Sequence, residues 1–284
     1  MPQPIIYAVL AMACYGVSDF VYKQAAAASI RPDHFLMAQA WLFCPTVIAI
    51  AVATGHLHFQ PVALWGSLAG GFYFVGLYFF IRSLSTGSVS TNATIFRLNF
   101  IVTVILSIAF LGEQLTLLRI IGLILALAAT WLLVGTGARI ASPVGGQKRS
   151  LLEVGLATLS FGAATFFHAI GLRSGAGVEI LLVMQAAVFM PLSTLVVFKA
   201  RGTLAVPMTI FKYTIPASLL LIGATLFLLR GLTLGQATTL VPIAQMGFIV
   251  AALLGVFILR EAITVRKAVG LACALAALAV LAAS

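Results

Sequence analysis

Residues 237–259 read ATTLVPIAQMGFIVAALLGVFIL, an apolar stretch without a single Asp, Glu, Lys or Arg. A hydrocarbon core of about 30 Å is crossed by roughly 20 helical residues, so this stretch is long enough to span one. Nine further apolar runs occupy most of the remaining chain, at about 4–24, 34–53, 61–81, 88–111, 117–136, 151–171, 179–198, 209–230 and 265–283. Charged residues make up 8% of the chain and hydrophobic residues 62%, whereas a soluble domain carries roughly 25% charged residues. These helices have no polar outer face to offer water. The solvent is lipid, and the expected fold class is all-α integral membrane with ten transmembrane helices.

The same sequence occurs twice. At an offset of 146 residues Leu10, Gly16, Phe20, Gln39, Phe43, Pro45 and Pro61 fall on Leu156, Gly162, Phe166, Gln185, Phe189, Pro191 and Pro207. At an offset of 148, Phe79, Arg82, Gly87, Thr91, Glu113, Thr116 and Gly122 fall on Phe227, Arg230, Gly235, Thr239, Glu261, Thr264 and Gly270. The expected organisation is a first repeat over 1–136, a linker over 137–150 and a second repeat over 151–284. Five helices per repeat is an odd number, so the second repeat starts on the far side of the membrane and runs inverted. Inverted repeats are a common transporter construction, because exchanging the conformations of the halves exchanges the open side.

Charge supports topology more than a polyanionic partner. The net charge is +10, but the basic residues stand singly or in pairs at helix ends, without the basic run that nucleic acid requires. Loops after odd-numbered helices hold twelve of them (Lys23, Arg31, Arg82, Arg139, Lys148, Arg149, Lys199, Arg201, Lys212, Arg260, Arg266, Lys267) against Arg119, Arg173 and Arg230 opposite. By the positive-inside rule this sets both termini outside. Cys14, Cys44 and Cys273 lack CxxC spacing, so no disulfide framework or metal site is expected. No P-loop motif and no nucleophile–base pair is evident. The expectation is a non-enzymatic protein without a cofactor, whose partners are a small-molecule solute and the bilayer, as a monomer or homodimer.

Three stretches carry a family resemblance. The first helix holds Tyr15-Gly16-Val17-Ser18-Asp19-Phe20 and closes on Lys23, and two helix ends read Leu111-Gly112-Glu113-Gln114-Leu115-Thr116 and Leu259-Arg260-Glu261-Ala262-Ile263-Thr264. These resemble the EamA-type branch of the drug/metabolite transporter superfamily, with Tyr15 where Trp is usual and Arg260 where Gly is usual. The resemblance implies a five-plus-five helix fold in a bacterial inner membrane and export of a small metabolite such as an amino acid or organic anion. Efflux of organic cations or flipping of lipid-linked solutes are the alternatives. It also implies cytoplasmic termini, against the charge count.

Polar residues inside the spans are the candidate site. Arg97 is the only basic residue in the middle of a span, where an unpaired charge is expensive. Ser90, Thr94 and Arg97 lie on one side of a helix at about 100° per residue. Their repeat equivalents are Thr238, Pro242 and Gln245, so Arg97 and Gln245 are expected to face each other across the halves and hold an anionic group. The alternative is that Arg97 pairs with a carbonyl or with Asp19. Asp19 is a proton-coupling candidate, or an i, i+4 partner of Lys23. Gln39 and Gln185 are expected to face inward as helix-to-helix donors or cavity walls, and Tyr73 and Tyr78 to line an aromatic pocket. Asn92 and Asn99 are expected to bond neighbouring helices. Glu113 with Arg119 and Glu261 with Lys267 are expected as surface pairs shaping short hairpins, and Pro45 and Pro191 as paired kinks.

Overall fold

The computed structural model describes residues 2–86, 89–134, 146–260 and 264–284, with the side chains beside the omitted segments left out. It holds helices α1 (Gln3–Ala27), α2 (Pro32–Ala53), α3 (Leu64–Thr86), α4 (Val89–Arg97), α5 (Asn99–Leu111), α6 (Leu117–Val134), α7 (Gly146–Arg173), α8 (Val178–Arg201), α9 (Phe211–Leu234), α10 (Ala237–Gln245), α11 (Phe248–Leu259) and α12 (Val265–Ala282). Among the described residues nine spans are long and apolar enough to cross a bilayer, and Leu117–Leu133 is a shorter tenth. Two of the ten are made of two pieces, α4 with α5 and α10 with α11. The protein is thus an all-helical, multi-pass membrane protein. α7 begins inside the segment 137–150 that sequence assigns to the linker.

The interior is rich in small residues, and many large apolar residues face outward. Ala8, Ala11, Ala69, Ala126, Ala129, Ala157, Ala164 and Ala274 are wholly buried, while Phe110, Trp131, Leu152 and Phe257 are each at least two-thirds exposed. A water-soluble protein reverses that order. Lipid tails are as apolar as Leu, so bundles of this kind are held by close backbone approach and interhelical hydrogen bonds.

Close approach occurs at repeat-equivalent places. A side chain on Gly16 of α1 would overlap the Gly247 carbonyl and Val250, and one on Gly162 of α7 would overlap the Asn99 carbonyl and Val102. Those residues correspond at the offsets of 146 and 148. Likewise Gly122 lies under Leu281 and Gly270 under Leu133. At whole-helix level, α3 packs on α7 as α1 packs on α9, α3 on α8 as α2 on α9, and α5 on α7 as α11 on α1. The remaining large interfaces, α2 with α8 and α6 with α12, join corresponding helices of the two halves.

Helix ends follow local chemistry. Gly112 ends α5 and Gly202 ends α8, both in left-handed backbone at φ 64° and 69°, which glycine adopts without steric penalty. At the position matching Gly112, Arg260 takes φ 52° and carries the cost glycine would avoid. Pro45 and Pro191 both lie inside continuous helices.

Candidate functional site

Two spans that hydropathy reads as continuous are interrupted in the membrane interior. Leu98 separates α4 from α5, and Met246 with Gly247 separates α10 from α11. The chain tightens there into i→i+3 bonds: Leu98 N donates to Ile95 O and Ile101 N to Leu98 O, while Met246 N donates to Ile243 O and Ile249 N to Met246 O. Leu98 and Met246 correspond at the offset of 148. In α10, Pro242 lacks the N–H that would bond one turn back, but nothing comparable marks Leu98. The Asn99 amide donates to Phe96 O at 2.8 Å and takes up one carbonyl at the first interruption. Short 3₁₀ stretches inside long helices often mark hinges, and half-helix ends at membrane depth are where transporters place ligand groups.

Arg97 is the last residue of α4 and Gln245 the last of α10. Between the alternatives left by sequence, Arg97 takes Asp19: its guanidinium donates to Asp19 Oδ2 at 2.6 Å, across α4 and α1. The two side chains keep 25% and 20% of their surface, so the pair borders space that protein atoms do not fill. One turn N-terminal to Asp19, α1 crosses the second interruption at Gly16 and Gly247. α1 therefore touches both interruptions, one through an ion pair and one through backbone.

Tyrosines and phenylalanines stand on the same helices and their neighbours. Tyr15 lies one turn before Asp19 on α1. Gln39 donates to the Tyr22 hydroxyl at 2.7 Å, joining α2 to α1. The Tyr73 hydroxyl lies 3.0 Å from Thr165 Oγ1 on α7. Rings of Phe80, Phe96, Phe161, Tyr73 and His168 touch in sequence, with centroids 4.1, 5.1, 4.7 and 5.7 Å apart, forming a wall across α3, α4 and α7.

The other sequence candidates are dispersed. Thr94 lines an apolar groove of about 380 Å³ with Ile95, Leu98, Leu127, Ala128 and Trp131, so it faces α6 while Arg97 faces α1. The Ser90 side chain lies outside the described residues. Tyr78 stacks on Phe74 and lies under the Arg82 guanidinium, 5.6 Å from its ring centre, which places it toward a helix end. Gln245 is buried. Gln185 offers its backbone carbonyl to Gly70, and its side-chain oxygen is buried without a partner among the described residues. Asn92 bonds Ser83 O and Ser150 Oγ, the helix-to-helix role expected of it, whereas Asn99 bonds its own segment.

The Glu113–Arg119 surface pair is not formed. Glu113 is 4% exposed; its carboxylate accepts from Arg173 at 2.7 Å and from the backbone N–H groups of Ala237 and Thr238 at 3.0 and 2.8 Å. It thus caps α10, where an anion meets free N–H groups and the positive end of the helix dipole. Arg119 instead donates to Gln236 Oε1 and Gln114 O. Glu261 lies outside the described residues. Near the other helix ends Asp33 pairs with Arg31 and Arg201, Glu153 with Arg82 and Arg149, and Glu179 with Arg230. Three of these ties join the halves: Glu113 to Arg173, Asp33 to Arg201 and Arg82 to Glu153. Among the described residues no cluster of His, Cys, Asp or Glu suits a metal ion.

Residues 3–135 match the model of the EamA-like transporter family. No curated protein matches the chain. A solved structure titled only as the crystal structure of a protein shares 18% identity with a TM-score of 0.78, covering 98% of each chain. At that identity the likeness shows the fold alone.

Proposed function

We propose that this chain, whose residues 3–135 match the model of the EamA-like transporter family, is a secondary transporter that moves a small charged metabolite by alternating access. The observation that carries the proposal is the Asp19–Arg97 pair, a partly accessible ion pair inside the membrane span at a helix interruption. Charges at that depth are costly unless paired or in contact with a polar cavity. A pair that keeps accessible surface offers both: Arg97 receives a carboxylate or another anionic group, and Asp19 is released to hold a cationic group or a proton. The aromatic wall supplies apolar area for the rest of the solute.

Alternating access rests on the repeat. In this reading residues 1–136 and 151–284 are inverted halves joined by 137–150. The matched crossings at Gly16 and Gly162, the matched interruptions, and the self-paired interfaces α2–α8 and α6–α12 support it. Exchange of conformations between the halves would expose Asp19 and Arg97 first to one side and then to the other. The ties Glu113–Arg173 and Asp33–Arg201 would then be made and broken in turn as the two mouths open.

The solute we favour is an amino acid or organic anion, moved outward across a bacterial inner membrane. The test is an untargeted metabolite comparison of cells with and without the protein, then flux of the altered solutes in liposomes. Arg97→Ala is expected to insert normally and carry nothing. Normal flux through that variant overturns the site.

A further inference from the structure

The first and second halves differ at one matched polar contact. In the first half Gln39 donates to the Tyr22 hydroxyl at 2.7 Å. At the offset of 146, Gln185 stands for Gln39 and His168 for Tyr22. The supporting backbones correspond as well: α1 and α7 make matched crossings at Gly16 and Gly162. Gln39 O accepts from Ser218 on α9, while Gln185 O lies against Gly70 of α3, the residue matching Ser218 at the offset of 148.

In the second half neither matching side chain makes that bond. His168 is 2% exposed. Its Nε2 and the Gln185 Oε1 are both buried without a hydrogen-bond partner among the described residues. Buried polar atoms are nearly always satisfied, and an orphan demands an explanation. Side-chain length supplies one. An imidazole ends short of the place a phenol oxygen reaches, so replacing Tyr by His at a matched backbone position leaves a gap where the hydroxyl was. A gap of this kind is spanned by one oxygen that accepts from one side and donates to the other.

We propose that His168 and Gln185 form a binding point for a hydroxyl group of the carried solute, a specificity determinant that rests on the transport reading. A hydroxyl accepts from His168 Nε2–H and donates to Gln185 Oε1. A carboxylate has no proton to give Gln185, and an ammonium has no lone pair for the imidazole N–H. The His168 ring packs on Tyr73, at the far end of the aromatic wall that reaches Phe96, the neighbour of Arg97 in sequence. Thr165, which matches Asp19 in the repeat, is occupied by Tyr73. The site therefore selects solutes that carry a hydroxyl beside their charged group.

The test uses the full chain in liposomes and three solute pairs that each differ by one hydroxyl: serine and alanine, lactate and propionate, choline and ethyltrimethylammonium. Binding is read by thermal shift and by competition for flux. In the charge class that binds, the hydroxylated member is expected to bind at least about tenfold tighter, since sites built to hydrogen-bond a hydroxyl reject analogues without it. His168→Tyr, which rebuilds the first-half contact, and Gln185→Leu are expected to erase that preference, with folding checked by expression and unfolding temperature. Equal affinity within the pairs, or a preference that survives both substitutions, overturns the hydroxyl site alone and leaves transport standing; such a preference would belong to another contact, and His168 and Gln185 would then hold structural water. Absence of binding and flux for all six solutes overturns the hydroxyl site, while the transport reading falls only if no metabolite that changes in cells is carried.

Discussion

Neutralising both members of the Asp19–Arg97 pair separates a structural role from a transport role. Arg97→Gln leaves a carboxylate without its partner, and Asp19→Asn leaves a guanidinium. Removing one member of a buried pair costs about 3–5 kcal/mol, and of an exposed pair about 1 kcal/mol or less. With the side chains 25% and 20% exposed and the contact at 2.6 Å, each single substitution is expected to cost about 2–3 kcal/mol, nearer the buried limit. The double substitution removes both charges and leaves two neutral amides able to bond each other. It is therefore expected to cost less than the sum of the singles, with a coupling of about 2 kcal/mol in a double-mutant cycle. The assay is thermal unfolding in detergent beside flux in liposomes, on the same preparations. The expected result is a double variant about as stable as either single variant, well above the sum of their losses, that carries no solute. A double variant with wild-type flux would refute the reasoning, because the pair would then be packing the bundle and nothing more.

Further outcomes follow from named contacts. Gly16→Ala and Gly162→Ala are expected to destabilise the protein alike, by about 1–3 kcal/mol, because each added methyl meets a carbonyl at a matched crossing; unfolding temperatures measure this. Glu113→Ala removes the cap of Ala237 and Thr238 and the partner of Arg173, and should cost about 2–3 kcal/mol, well above Glu113→Gln. Arg260→Gly should raise stability by about 1 kcal/mol by relieving the left-handed backbone at φ 52°, and Gly112→Arg should lower it. Reporters fused to the two ends are expected to give the same side, since ten spans are an even number; opposite sides would break the span count. If Asp19 carries the coupling proton, flux through Asp19→Asn will no longer follow a pH gradient, and unchanged pH dependence removes it from that role.

The spans were legible because they rest on composition, which no tertiary contact can hide. The interruption at Leu98 was not. Its sequence, Phe96-Arg97-Leu98-Asn99, contains no Pro or Gly, and an apolar run through 88–111 reads as one helix whether or not one turn tightens. Arg97 was legible as a costly charge and Asp19 as one of its alternative partners, but Asp19 also has Lys23 one turn away, and only packing decides between them. Glu113 failed for the same reason. Local spacing offered Arg119, whereas the fold brings Arg173 and the start of α10 from the other half. The stripe of Ser90, Thr94 and Arg97 assumed that one helical face meets one neighbour, yet Thr94 faces α6 and Arg97 faces α1. His168 carried a faint signal, as the residue matching Tyr22. Its meaning appears only when the Tyr22–Gln39 bond is seen beside its unbonded counterpart.

The most direct measurement of the central claim is solute flux into liposomes holding the purified chain, for each metabolite that changes when the protein is removed from cells. The account predicts saturable flux of at least one small charged metabolite, present in the wild type and absent from the Asp19→Asn, Arg97→Gln double variant reconstituted in equal folded amount. No protein-dependent flux of any such metabolite, or equal flux in both proteins, would contradict it.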